Sequence, residues 1–88
     1  MTREQVLTLI REHLADELAL EDPETITEDT HFREDLSADS LDLYTLVQEL
    51  EDSYGIRIPD EQAAKIRTVG NALDYVMAEA GDRLQADL

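Results

Sequence analysis

Apolar residues recur at helical spacing in three stretches of the chain, and nowhere with the alternation of a half-buried strand. Over residues 2–19, Val6, Leu7, Ile10, Leu14 and Leu18 fall on one face, with Glu12, Asp16 and Glu17 on another. Thr2 and Gln5 form a capping box at its start: the Thr2 side chain can accept from the backbone three residues on, and Gln5 can reach back. Over residues 39–54, Leu43, Leu46, Val47, Leu50 and Tyr54 make a second stripe, and Gly55 is a natural terminator. Tyr44, Thr45, Gln48, Glu51 and Asp52 lie off that stripe. Val69, Ala72, Leu73, Val76, Met77 and Ala80 make a third, with Thr68 as its cap and Gly81 as its end.

The intervals predict less regular structure. Residues 20–38 mix Pro, Thr, Asp and Ser without sustained periodicity. Loops of that length are uncommon in compact domains unless functional or tied down, and Ile26, Phe32 and Leu36 are the expected anchors. After Gly55, Ile56, Ile58 and Pro59 predict an extended connection. Asp60 is the expected cap of a short helix over about residues 61–66. Residues 82–88 are expected to be a frayed tail. The prediction is one all-α domain over residues 1–88. It is an antiparallel four-helix bundle of three longer helices and one short one, with a long loop between helices one and two.

Composition narrows the function classes. A chain of 88 residues forms one modest core. No apolar run approaches the ~20 residues of a membrane span, so no membrane insertion is expected. The first residues lack the unbroken apolar core of a signal peptide. There is no Cys, which excludes disulfides and thiolate metal sites and fits a reducing cytoplasm. A monomer is expected.

Charge narrows them further. Asp and Glu number 22 against 7 Lys and Arg, for a net charge of −15. Nucleic acid and anionic membranes repel such a surface, while partners with basic patches are attracted. The charge is uneven. No Lys or Arg lies between Arg11 and Arg33, nor between Arg33 and Arg57. The second gap holds Glu34, Asp35, Asp39, Asp42, Glu49, Glu51 and Asp52.

Inside that acidic segment stands "EDLSADSLDL", with a bare hydroxyl at Ser40. Nucleophilic catalysis does not fit it. His31 lies on a polar loop, the strand–Gly-x-Ser-x-Gly–helix setting of a hydrolase elbow is missing, and a small bundle has little room for a preformed pocket. No catalytic residue is assigned. His13, mid-helix, is read as a surface or boundary histidine. "EDPETITED" and "REDLSAD" lack the alternating ligands, central Gly and closing Glu of a calcium loop, so weak divalent binding is the most they predict and no metal ligand is assigned. As a structural residue, Ser40 would share the capping of helix two with Asp39. A phosphodiester on Ser40 would instead sit at a helix N-terminus, where free N–H groups and the macrodipole favour an anion. A separate enzyme would supply the base and the phosphate donor, and the acidic flanks would dock it.

The stretch "EDLSADSLDLYTLVQELEDSYGIRIPDEQAAKIRTVGNALDYV" closely resembles acyl carrier proteins of the dissociated, type II fatty-acid synthase kind. Asp39, Ser40 and Leu41 match the family's Asp-Ser-Leu signature, and "YGIRIPDE" and "KIRTVGNALDYV" stand at the right distance beyond it. The match is dense from Phe32 to Val76 and looser over helix one. The resemblance implies that Ser40 carries 4′-phosphopantetheine, whose thiol holds growing acyl chains as thioesters in fatty-acid biosynthesis. A chain without Cys thereby acquires a thiol. Val47, Leu50, Ala63 and Ile66 are the expected walls of an acyl-chain pocket. Asp39, Asp42, Tyr44, Thr45, Gln48, Glu51, Asp52 and Asp60 are the expected docking residues. The partners implied are a phosphopantetheinyl transferase, malonyl transacylase, ketosynthase, reductases and dehydratase.

The chain departs from the family at Ser37, commonly Gly, at Thr45, commonly Glu, and at Gln48, commonly Met. Two other readings compete: a carrier of a polyketide or other specialised acyl pathway, and an acidic helical adaptor without prosthetic group. On this reading Ser40→Ala should lose a cap worth about 1 kcal/mol. Reversing Asp42 or Glu51 to Lys should weaken docking without changing the fold.

Overall fold

A computed structural model describes residues 2–86, with side chains described as far as Ala80. Four helices succeed one another: α1 (Arg3–Leu18), α2 (Ser40–Tyr54), the single-turn α3 (Asp60–Ala63) and α4 (Val69–Ala86). The described residues contain no strand, only an isolated bridge between His31 and Thr68. The all-α four-helix bundle expected from the periodicity is the observed fold, with α1 packed on α2 and α4, and α2 on α4.

Each apolar stripe points inward. Val6, Ile10 and Leu14 of α1, Leu46 and Leu50 of α2, and Val69, Ala72, Leu73, Val76 and Ala80 of α4 are buried. Leu7, Leu18, Leu43, Val47, Tyr54 and Met77 pack against them half-buried. At about 25 cal/mol per Å² of apolar surface, this burial is the main favourable term in folding. The helix ends obey the expected chemistry in most places. Thr2 and Gln5 exchange hydrogen bonds at 3.1 and 2.9 Å. Gly55 closes α2 at φ 62°, a conformation open to Gly without Cβ strain. The Thr68 hydroxyl accepts from the Asn71 N–H at 3.0 Å, and the Asn71 side chain accepts from the Thr68 N–H at 3.2 Å.

Three boundaries differ from expectation. Asp60 is the first residue of α3 rather than its cap; Pro59 precedes it and no side-chain cap is made. That helix is also shorter than residues 61–66, because Ala64 already closes it. Gly81 does not end α4, which continues to Ala86. A mid-helix Gly costs only about 1 kcal/mol relative to Ala, and Arg83, Leu84, Gln85 and Ala86 are good helix formers. Of the expected tail, residues 82–86 are helical and residues 87–88 lie outside the described residues.

The long first loop is tied down along its length. A short 3-10 helix, Pro23–Thr25, forms behind an Asp22 cap. Ile26 and Phe32 are buried and Leu36 is half-buried, as expected of anchors. The loop also supplies what α4 lacks. A helix leaves its first N–H groups without intrahelical partners. Val69 N–H donates to Thr30 O at 3.0 Å, and Gly70 N–H to Glu28 O at 2.8 Å. The loop runs so close to Gly70 that a Cβ there would stand 2.9 Å from Glu28 O. On its other side Arg11 Nε donates to Ile26 O at 2.7 Å, and Arg3 reaches both Glu28 (2.6 Å) and Asp74 (2.8 Å). The loop is therefore held between α1 and α4, and its far end delivers the chain to the start of α2.

Candidate functional site at the start of helix α2

Asp39 is the N-cap of α2, and Ser40 is its first helical residue. The Asp39 carboxylate accepts from the Asp42 N–H at 2.9 Å, and the Asp42 carboxylate from the Asp39 N–H at 3.0 Å. The two carboxylates thus form a closed capping box. The bond from the Asp42 N–H first, then the Asp42 side chain, the nearby Leu41 N–H and the charge of Arg33 outweigh burial and hold the Asp39 carboxyl below its ordinary range. This corrects the expectation that Ser40 shares the capping. It also reduces what the helix start can offer another anion, since Asp39 already occupies the end.

With no capping to perform, the Ser40 hydroxyl is exposed. Its Oγ accepts from Arg33 Nη2 at 2.9 Å. It opens on a groove of about 600 Å³ between α2 and the segment from Arg57 to Ala64. Tyr44, Gln48, Glu51 and Asp60, four of the expected docking residues, line the same groove. Among the described residues, Leu41 and Tyr44 are the large apolar side chains left most open, at 66% and 59% exposure. They flank Ser40 on the outer surface of α2.

Three of the expected docking residues are committed to the fold. Thr45 is half-buried, and its hydroxyl donates to Asp42 O at 2.8 Å. Glu51 accepts from the Ile58 N–H at 2.8 Å and so pins the α2–α3 connection. Asp42 belongs to the capping box. Reversing Asp42 or Glu51 to Lys would therefore also remove a hydrogen bond that the fold uses, in addition to any effect on docking. Asp52 and Asp60 are exposed and make no side-chain hydrogen bond or ion pair among the described residues.

The four expected wall residues do come together. Val47, Leu50, Ala63 and Ile66 surround one apolar cavity of about 40 Å³, with Phe32, Leu43, Leu46 and Ala72. About one water fits such a space, so side chains would have to move before a chain of several carbons could enter. A second groove of about 450 Å³ leads past Arg33, Leu43, Ala63 and Ile66 toward Arg67. Arg33 and Leu43 line both grooves.

Sequence reasoning passed over Arg33. The signal was present: it is the single Lys or Arg in the 45 positions between Arg11 and Arg57, seven residues before Ser40 on a loop pinned by Phe32. The Phe32 N–H donates to Arg67 O at 3.0 Å, and the Ala38 N–H returns to Phe32 O at 2.9 Å. That closure folds Arg33 back over Ser40.

Residues 8–76 match the family described as the phosphopantetheine attachment site. An acyl carrier protein from Rubrobacter xylanophilus is 52% identical over 77 residues, covering 88% of this chain and 94% of that one. One from Lactobacillus acidophilus is 42% identical over 81 residues, covering 92% and 100%. The solved structure of the acyl carrier protein from Enterococcus faecalis matches with a TM-score of 0.75 and 38% identity, covering 89% of this chain and 98% of that one.

Proposed function

The chain belongs to the acyl carrier protein family, and we propose that Ser40 is the residue through which it does that family's work. It is a carrier in fatty-acid synthesis, not a catalyst, and phosphopantetheine is its prosthetic group. When bound, that group supplies a thiol on which acyl chains ride as thioesters. Its partners are enzymes of fatty-acid synthesis. We read these more finely as the transferase that attaches the arm, malonyl transacylase, ketosynthase, reductases and dehydratase, working in the cytoplasm. Among the described residues no helix is long and apolar enough to cross a membrane.

The residues at Ser40 fit the group. The hydroxyl is exposed and serves as no cap. A cation lies 2.9 Å from its oxygen, and an open groove of about 600 Å³ begins there. The observation that carries the assignment is the contrast among serines. Ser37 and Ser53 line none of the described grooves, whereas Ser40 opens on one. In the attachment step the Ser40 Oγ bonds to the phosphorus of the pantetheine phosphate in coenzyme A. The pyrophosphate bond breaks, the adenosine bisphosphate leaves, and the hydroxyl proton passes to a base on the transferase.

Intact mass and peptide mapping after incubation with a phosphopantetheinyl transferase and coenzyme A test this. The expected result is one arm per chain, on Ser40, and none on Ser40→Ala. An arm mapping to Ser37 or Ser53, or no mass gain, refutes the assignment. Ser40→Ala should stay folded, with a stability change within about 0.5 kcal/mol, because Asp39 rather than Ser40 caps α2.

A further inference from the structure

A phosphodiester on Ser40 would enter a crowded anionic corner. Asp39 stands immediately before it and Asp42 two residues after, both held in place by their capping box. A phosphodiester keeps a full negative charge at neutral pH, so at close range these carboxylates oppose it. The corner has one cation at bonding distance, Arg33, whose Nη2 already touches the Ser40 oxygen. Arg33 makes no salt bridge among the described residues, whereas Arg3 is held by Glu28 and Asp74 and Arg11 by Ile26 O. A guanidinium carries five N–H donors in a planar fork, and one bond to Ser40 leaves others free.

We propose that Arg33 is an intramolecular clamp for the phosphate of the prosthetic arm, an inference that rests on attachment at Ser40. In the unmodified chain the guanidinium is parked on the serine oxygen. On attachment that oxygen becomes an ester oxygen and a poorer acceptor. The two non-bridging phosphate oxygens arrive next to it as better ones, and the fork takes them as a charge-assisted pair. Because Arg33 lines both grooves, the clamp holds the root of the arm at their junction. The cation offsets Asp39 and Asp42 and restrains the first atoms of an otherwise freely rotating tether. A lysine would supply the charge but not the fork.

The test compares apo and holo forms of wild type, Arg33→Ala and Arg33→Lys, each holo sample verified by intact mass as carrying one arm on Ser40. The readouts are the 31P resonance of the arm, the Arg33 Nε–H resonance and the melting temperature. The expected result is a 31P resonance that moves in Arg33→Ala at low salt. The difference from wild type should narrow, without vanishing, as salt rises to about 0.5 M, where screening acts over about 4 Å. The Arg33 Nε–H resonance of wild type should shift between apo and holo. The apo-to-holo change in melting temperature should differ between wild type and Arg33→Ala by roughly 1–8 °C, with Arg33→Lys between them. An arm on Ser40 with identical 31P resonances and identical apo-to-holo changes in all three proteins overturns the clamp alone. If no protein takes an arm on Ser40, the attachment assignment falls and the clamp with it.

Discussion

Ser37 stands at φ 56°, in the left-handed region, three residues before Ser40. Its N–H donates to Arg33 O at 3.1 Å, and the next N–H, of Ala38, to Phe32 O at 2.9 Å. The turn needs that conformation to reverse the chain and bring Arg33 back over Ser40. A Cβ in it costs roughly 1–2 kcal/mol. The side chain returns nothing visible, being exposed and without a hydrogen bond among the described residues. Ser37→Gly removes the strain but adds freedom to the unfolded chain worth about 0.4–1 kcal/mol. The net expectation is a gain of about 0.5–1 kcal/mol, or roughly 2–8 °C in melting temperature for a domain this size. Thermal and urea unfolding monitored by circular dichroism would measure it, with an unchanged urea slope as the sign that only stability moved. Ser37→Ala is the control. It keeps the Cβ and should stay within about 0.5 kcal/mol of wild type. If Ser37→Gly is no more stable than Ser37→Ala, the turn is not strained and this account of it is wrong.

Gly70→Ala should destabilise by about 1–3 kcal/mol, because its Cβ would meet backbone at Glu28 O, 2.9 Å away; an unchanged urea midpoint would refute the close approach. The Asp39 carboxyl titrates below its ordinary range when folded. Its contribution is therefore complete above the unfolded value of about 3.9 and lost as pH falls through the lower folded value. The stability difference between wild type and Asp39→Asn should accordingly shrink in acid, and a pH-independent difference would contradict the cap. A net charge of −15 predicts that salt and magnesium raise the melting temperature by screening self-repulsion over about 10 Å at 0.1 M, so flat melts across both series would argue against it. Asp52→Lys and Asp60→Lys should slow acyl transfer by a ketosynthase at low salt and leave the melt unchanged, while transfer at the wild-type rate would move docking to another face.

The helices were legible because each rests on a periodic signal that the core then satisfies. The stripes of α1, α2 and α4 are buried as their spacing predicts. Ser40 was legible as a distinctive hydroxyl in an acidic helix start. What could not be read depends on contacts distant in sequence. The role of the first loop lies in carbonyls of Glu28 and Thr30 offered to the start of α4, and backbone acceptors leave no mark on side-chain pattern. Two neighbouring cap-formers, Asp39 and Ser40, are nearly equivalent on propensity. The outcome turned on Asp42, whose carboxylate closes a box with Asp39 three residues earlier. Gly81 misled because a glycine that stops a helix and one tolerated inside it leave the same mark on sequence. Glu51 looked like a free surface charge until the chain after Gly55 folded back to give it the Ile58 N–H.

Asp39, Asp42 and Glu51 change how docking on α2 should be understood. A charge that serves the fold cannot be handed wholly to a partner. An arginine approaching Asp39 or Asp42 competes with the N–H groups that their oxygens already accept, and one approaching Glu51 competes with Ile58. On the docking reading such residues would contribute a standing negative potential, which speeds encounter, rather than contacts remade with every enzyme. Exposed carboxylates such as Asp52 and Asp60 can form new pairs, but each is worth only about 0.2–1 kcal/mol. If partners dock on α2, the apolar share would fall to Leu41 and Tyr44, the two large side chains left open beside Ser40. Thr45, half-buried and bonded to Asp42 O, adds little to either share. On the docking reading this combination gives fast encounter, a small apolar grip next to the attachment point and few strong pairs to break. A carrier that must leave each enzyme before meeting the next is better served by that balance than by a tighter interface.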